Sequence, residues 1–291
     1  MENFNPSIGF INTNLFSTEA LYYLKYKRYD DGDYGTKYWF DYWKEQKRRC
    51  LEGYSVGGIR ITGRHYFYLN FAPIEKIVKK TLKGKTIKDR STGFPDFWDE
   101  DYNLYHLKDI ARFGIDFYRD NKDSKKLSDE ELVKTLHLDF QIKSEHLKGN
   151  KHIIWLKPRG VGASFKAGAE GAYNYFMLTK SKTYYLASTL EYLMKDGVIS
   201  KFLDVRNFIT SYNWNSDLQL GGHGFYQNNL IHDKEKMFFK NGRLASDGKT
   251  EVGGKLSEIH GVNLNGDADK ARGKRGVQIH FEEFGNFKDA D

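Results

Sequence analysis

One stretch limits what this chain can fold into more than any other: His152-Ile-Ile-Trp-Leu-Lys-Pro-Arg-Gly-Val-Gly-Ala-Ser-Phe-Lys166. Ile153 to Leu156 are a continuous apolar run, which predicts a short buried strand. Lys157 to Gly162 reads as a tight loop, and a helix opens at Ser164 and runs through Ala167, Ala169 and Ala172. Strand, glycine loop and helix together suit a nucleotide phosphate, because loop N–H groups converge on the anion and the helix N-terminus adds partial positive charge. Against the pattern G-x-x-x-x-G-K-[ST], Gly162 and Ser164 hold the second glycine and the hydroxyl. Lys157 stands at the first glycine and Ala163 at the lysine, so the basic charge moves to the front of the loop, onto Lys157 or Arg159. The plain alternative is a glycine-rich turn between a strand and a helix.

A second stretch favours the phosphate reading. Gly276-Val-Gln-Ile-His-Phe-Glu-Glu-Phe-Gly285 predicts a strand alternating at Val277, Ile279 and Phe281 and ending in two carboxylates. Nucleotide hydrolases of this kind set a Mg²⁺-side acid at such a strand end, with a neighbouring residue that orients water. Glu282 and Glu283 fit those two posts, with Glu282 following Ser164 by 118 residues. An acidic pair alone is often only a solvated strand end.

The chain's 291 residues can bury a substantial core, in one large domain or two. At 39% hydrophobic residues with four prolines, it reads as globular. The aromatic share, 16%, is first of all a packing signal. A net charge of +7 permits an anionic partner such as nucleic acid without requiring one. The single cysteine, Cys50, excludes an internal disulfide framework and a cysteine zinc cluster. No apolar run reaches membrane-spanning length and no leader pattern follows Met1, so the expected compartment is the cytosol.

Two sections are expected: an α+β section over residues 1–90, and a core over 91–291 in which strands alternate with helices. In the first, Ser17 caps a helix reaching about Tyr29, Asp30 to Gly35 forms a turn, and a second helix runs from Lys37 to Leu51. Ser55 to Thr62 and His65 to Phe71 read as β segments, and Ile74–Leu82 with Lys85–Lys88 as a hairpin turning at Lys83-Gly84. Gly93 to Tyr102 enters a helix running through about Tyr118, residues 119–127 form a surface loop, and Ser128-Asp-Glu-Glu131 is a capping box. After the glycine loop come a strand at Lys182–Ala187, a helix from Leu190 to Leu203, a short strand at Met237–Phe239 and a polar, glycine-rich stretch from Gly248 to Gly266. This alternation predicts a largely parallel, three-layer α/β/α sheet.

Lys157-Pro-Arg-Gly-Val-Gly-Ala-Ser164, then Ala271-Arg-Gly-Lys-Arg-Gly276 leading into Ile279-His-Phe-Glu-Glu283, resembles the ATPase domain of the large terminase subunit of tailed bacteriophages. Tyr184 to Ser188, Gly57 to Asn70 and Phe94 to Asp99 are also similar, so the resemblance runs from about residue 53 to 287. It implies a P-loop NTPase fold of the ASCE, RecA-like kind, with ATP and Mg²⁺ as cofactors. Lys157 or Arg159 would neutralise the β/γ-phosphates, and Gly160, Val161, Gly162, Ala163 and Ser164 would cradle them. Ser164 and Glu282 would hold Mg²⁺, and Glu283 would activate water. Arg272 or Arg275 would act as an arginine finger, or else make salt bridges or DNA backbone contacts. Lys166 is a third candidate cation or a solvated lysine, and Trp98 and Tyr102 either border the adenine or pack in a core. The implied partners are double-stranded DNA, a portal protein and a small terminase subunit, with a homo-oligomeric ring on a procapsid in the host cytoplasm. Terminases continue past the acidic strand into a coupling motif and a nuclease domain, so a truncated ATPase half without nuclease activity is expected. Two rivals remain: another P-loop translocase or helicase, against which Glu282-Glu-Phe-Gly285 stands in place of an Asp-Glu-x-His box, and a non-catalytic DNA-binding module with a decayed loop.

Overall fold

A computed structural model describes residues 11–30, 32–82, 85–138, 143–156, 160–195, 197–211, 230–233 and 237–282. The first elements in chain order are α1 (Thr18–Tyr26), α2 (Lys37–Glu52), β1 (Tyr54–Val56), β2 (Ile59–Ile61), α3 (Gly63–Phe71), β3 (Ile74–Leu82), β4 (Lys85–Gly93), α4 (Asp99–Phe113) and α5 (Asp129–Thr135). There follow α6 (Ala163–Met177), β5 (Lys182–Ala187), α7 (Leu190–Met194), α8 (Val198–Ser211), β6 (Leu230–Asp233), β7 (Phe238–Asn241), β8 (Arg243–Leu244), β9 (Glu251–Val252), β10 (Glu258–Asn263) and β11 (Gln278–Phe281). They fall into two compact units, one drawn from residues 1–29, 48–70 and 94–158 and the other from 30–47, 71–93 and 159–291. No helix among the described residues is long and apolar enough to cross a membrane.

The first unit is built on aromatic packing. Phe16 stacks on Phe97 at 5.4 Å, and His65 stacks on Tyr105 at 5.0 Å. Asn70 ties α1 and α3 together: its amide donates to the carbonyls of Phe16 and Tyr66, its side-chain oxygen accepts from the Ala20 N–H, and its own carbonyl accepts from the Tyr29 hydroxyl at 2.6 Å. A buried amide satisfied this fully fixes one arrangement of the backbones it joins. His106 is also buried, held between the Tyr118 hydroxyl and the Arg60 carbonyl at 2.9 Å each, and burial lowers its pKa to about 4. α5 begins with the expected capping box, in which the Ser128 hydroxyl accepts from the Glu131 N–H and the Glu131 carboxylate from the Ser128 N–H.

Two expectations fail in this unit. The β segment expected at His65–Phe71 belongs to α3. Its aromatic composition favours a strand, but His65 to Phe71 is buried on every side, and a helix buried all round has no exposed polar face to leave a 3.6-residue signal. The buried strand expected at Ile153–Leu156 is absent: residues 151–156 are irregular, and Ile154 and Leu156 are 88% and 91% exposed. No described strand pairs with this run, and without a neighbour to satisfy its backbone an apolar run has no ladder to join.

The second unit holds a five-stranded sheet in the order β11-β5-β10-β7-β6. β11, β5 and β10 are mutually parallel, Phe281 facing Leu186 and Val262 facing Leu186 from the other side; β7 and β6 continue antiparallel. The α/β expectation holds, with the parallel trio extended by an antiparallel pair. The β3–β4 hairpin is registered from Ile74↔Gly93 to Leu82↔Lys85, and its expected turn at Lys83-Gly84 lies outside the described residues. The expected helix at Leu190–Leu203 divides into α7 and α8, and the stretch between them holds Gly197, a poor helix former.

α6 is the helix on which the sheet and the site depend. Lys166 to Met177 are all buried, and the small residues among them permit close approach on two sides. A Cβ at Gly168 would meet α8 at 2.7 Å from Lys201 Cβ and Phe202 N, and one at Gly171 would lie 2.1 Å from the Tyr185 hydroxyl of β5. That hydroxyl donates to the Ala167 carbonyl at 2.6 Å, and burial holds its pKa well above the ordinary phenol value, so it stays a donor.

Candidate functional site

The site forms where α6 begins and β11 ends. Gly160 and Gly162 have φ of +91° and +71°, the left-handed region that glycine enters without strain. Gly162 is the N-cap and has no side chain with which to cap, so the first N–H groups of a 15-residue helix can serve an outside acceptor. Ser164 sits in that first turn. Glu282 directly follows β11, and its N–H donates to the Leu186 carbonyl at 2.9 Å, which extends the parallel ladder by one step. In parallel sheets, ligands bind beyond such carboxyl ends.

The Ser164 hydroxyl donates to Glu282 Oε1 at 2.5 Å, and His280 Nε2 lies 2.7 Å from Oε2. With Glu282 ionised its carboxylate only accepts, and the imidazole then donates through Nε2. Glu282 is 7% exposed, with hydroxyl and imidazole bracing both of its oxygens. Lys166 is no solvated lysine: it is 4% exposed, and its ammonium donates to the Val161 carbonyl at 2.6 Å, which ties the glycine loop to the first turn of α6.

The face of β11 turned to α6 is its polar one. The Asn174 amide donates to Gln278 Oε1 at 2.8 Å and to Thr183 Oγ1 at 3.0 Å, and Gln278 Nε2 donates to Glu170 Oε2 at 3.1 Å. The expected apolar alternation is real, but Ile279 and Phe281, each 42% exposed, lie on the opposite face. Gln278, His280, Asn174 and Glu170 were not foreseen as site residues. The signal for the first two was the polar half of the same alternation.

Among the expected site residues, Gly160 to Ser164 and Glu282 are brought together. Lys157, Arg159 and Glu283 lie outside the described residues. Arg272 is 82% exposed in its side chain and pairs with Asp269 at 3.0 Å, and Arg275 is exposed. In the first unit, Trp98 is 53% exposed, contrary to a packing role, whereas Tyr102 is buried and donates to the Leu136 carbonyl at 2.5 Å.

A hydroxyl and a carboxylate are hard oxygen donors, the set Mg²⁺ prefers. Among the described residues no group of three or more His, Cys, Asp and Glu could hold a metal. A cation at Ser164 and Glu282 would therefore complete its shell with water and ligand phosphate, as Mg²⁺ commonly does. The chain has no match among protein-family models, curated proteins or solved structures.

Proposed function

We propose that this chain carries the ATPase portion of a viral DNA-packaging motor, a P-loop NTPase that couples Mg-ATP hydrolysis to translocation of double-stranded DNA into a procapsid. The observation that supports this reading is the Ser164–Glu282 hydrogen bond, which joins a glycine-loop helix start to an acidic strand end across 118 residues of sequence. A chance glycine-rich turn gives no reason for that meeting.

The loop amides from Gly160 to Ser164 would bind the phosphates, with the start of α6 adding its partial charge. Ser164 and Glu282 would hold Mg²⁺, whose contribution when bound is to neutralise charge on the transferring phosphate. Lys166 holds the loop closed on the helix through Val161. Lys157 or Arg159 is assigned the front-of-loop cation, Glu283 the activation of water, and Arg272 or Arg275 a contact in trans or to DNA. The portal protein, the small terminase subunit and a ring of identical subunits are the partners that this reading entails.

Calorimetric titration with a non-hydrolysable ATP analogue, with Mg²⁺ and with a chelator, tests the assignment on the intact chain and on Ser164→Ala, Glu282→Gln, Lys157→Ala and Arg159→Ala. Saturable binding is expected. Ser164→Ala and Glu282→Gln should remove its Mg²⁺-dependent part by on the order of tenfold or more, and one of the two loop-cation variants should remove binding itself. An intact chain that ignores the nucleotide under both conditions would overturn the reading. DNA affinity that falls steeply with salt is expected, and a flat response would remove DNA from the partners.

A further inference from the structure

We infer that His280 is the positioning residue for Glu282, the group that lets a glutamate stand at the Mg²⁺-side post; this rests on the nucleotide-site reading above. Glutamate has one more rotatable bond than aspartate, and its terminal torsion is broad and roughly two-fold. A lone glutamate at a strand end therefore samples many carboxylate orientations, and ordering such a side chain costs conformational entropy. A ligand that has to be ordered at each binding event is a weak one.

The structure removes that freedom. Ser164 holds one carboxylate oxygen and His280 the other, so rotation about the terminal bond breaks at least one hydrogen bond. His280 reaches Oε2 because residues 280 and 282 share a face of the chain, as alternate strand positions do. A Ser164 hydroxyl that turned a lone pair to a cation would keep its proton for Oε1, and His280 would hold the second oxygen, so the carboxylate would stay aimed.

The imidazole is itself held. Its ring packs edge-on against Tyr185 at 5.9 Å with an interplanar angle of 71°, and the Tyr185 hydroxyl is fixed on the Ala167 carbonyl. The contacts thus close a circuit that begins and ends in α6: Ser164, Glu282, His280, Tyr185, Ala167. The brace is anchored in the same helix that presents the hydroxyl, so movement of α6 carries hydroxyl and carboxylate together. Partners that orient a ligating group in this way are worth about 10–100-fold in metal affinity.

The test compares intact chain, His280→Ala and His280→Gln, since a glutamine amide nitrogen can stand where Nε2 stands. Each is titrated with the ATP analogue in chelator, then with Mn²⁺ in the presence of the analogue, following free Mn²⁺ by electron paramagnetic resonance. His280→Ala is expected to weaken Mn²⁺ binding by about 10–100-fold and to leave chelator-condition nucleotide affinity unchanged, with His280→Gln recovering most of the loss. Equal Mn²⁺ affinity in the intact chain and His280→Ala would overturn the role of His280 while leaving the nucleotide site standing. So would a loss that His280→Gln does not recover, or one that appears equally in chelator. An intact chain that binds neither analogue nor Mn²⁺ would overturn both readings together.

Discussion

Gly171 offers a direct test of how α6 is seated on the sheet. An ideal Cβ at this position lies 2.1 Å from the Tyr185 hydroxyl, 3.1 Å from Cζ and 3.3 Å from Cε2. Gly171→Ala would on propensity alone stabilise the helix by about 1 kcal/mol. The contact opposes this: the phenol has to move, at about 1–3 kcal/mol for overpacking. Moving it breaks the bond to the Ala167 carbonyl and strands a fully buried hydroxyl, at about 1–3 kcal/mol more. The expected net effect is destabilisation by about 1–5 kcal/mol, centred near 3. Tyr185→Phe alone loses one neutral hydrogen bond, about 1 kcal/mol. With the hydroxyl gone, the nearest ring atom stands at 3.1 Å, so adding the methyl in that background should change stability by less than about 1 kcal/mol either way. The double-mutant cycle should therefore show a coupling centred near about 3 kcal/mol. Urea unfolding followed by circular dichroism, compared at equal slopes, measures all four proteins. A Gly171→Ala protein at least as stable as the parent, or strictly additive substitutions, would refute the seating of α6 on β5. Because Tyr185 also seats the His280 ring, Gly171→Ala should lower Mn²⁺ affinity in the presence of nucleotide as well.

The buried neutral His106 predicts a pH dependence: its pKa lies near 4 when folded against about 6.5 unfolded, so the unfolded chain binds the extra proton and stability is full above pH 6.5 and falls toward pH 4. The loss is on the order of 3 kcal/mol, and a His106→Gln protein should lack that component; identical slopes between pH 7 and pH 4.5 would refute it. Ser128→Ala should cost about 1 kcal/mol by opening the capping box at α5, read as a lower urea midpoint, and an unchanged midpoint would show that the cap carries no stability.

What could be read from the sequence was local. The capping box at Ser128, the paired runs of the β3–β4 hairpin and the basic–aromatic helix α2 each carry their signal within a few residues, and each forms as expected. The missed elements depend on neighbours distant in sequence. β10 pairs on both sides, yet Glu258-Ile-His-Gly-Val-Asn263 is half polar, and Glu258 is accommodated by His260 at 2.9 Å, Lys182 of β5 at 3.1 Å and Lys240 of β7 at 3.3 Å. α3 has strand-like composition because it is buried all round, and Ile153–Leu156 has strand composition but no strand partner among the described residues. At the site, Ser164 and Glu282 were legible because a spaced pattern names both posts. The bracing by His280 and the Gln278–Asn174–Glu170 chain was not, because polar contacts between a helix and a strand leave no periodic mark on either.

The two faces of β11 also make its alignment self-checking. A slip of one residue along β5 would turn Ile279 and Phe281 inward, a shift that hydrophobic burial by itself rewards. Opposing it are the amide chain from Asn174 through Gln278 to Glu170 and the carboxylate seated on Ser164, all of which exist in one alignment only. Misaligned molecules would bury more apolar surface and lack these contacts, so the same few polar groups separate correctly threaded copies from near misses.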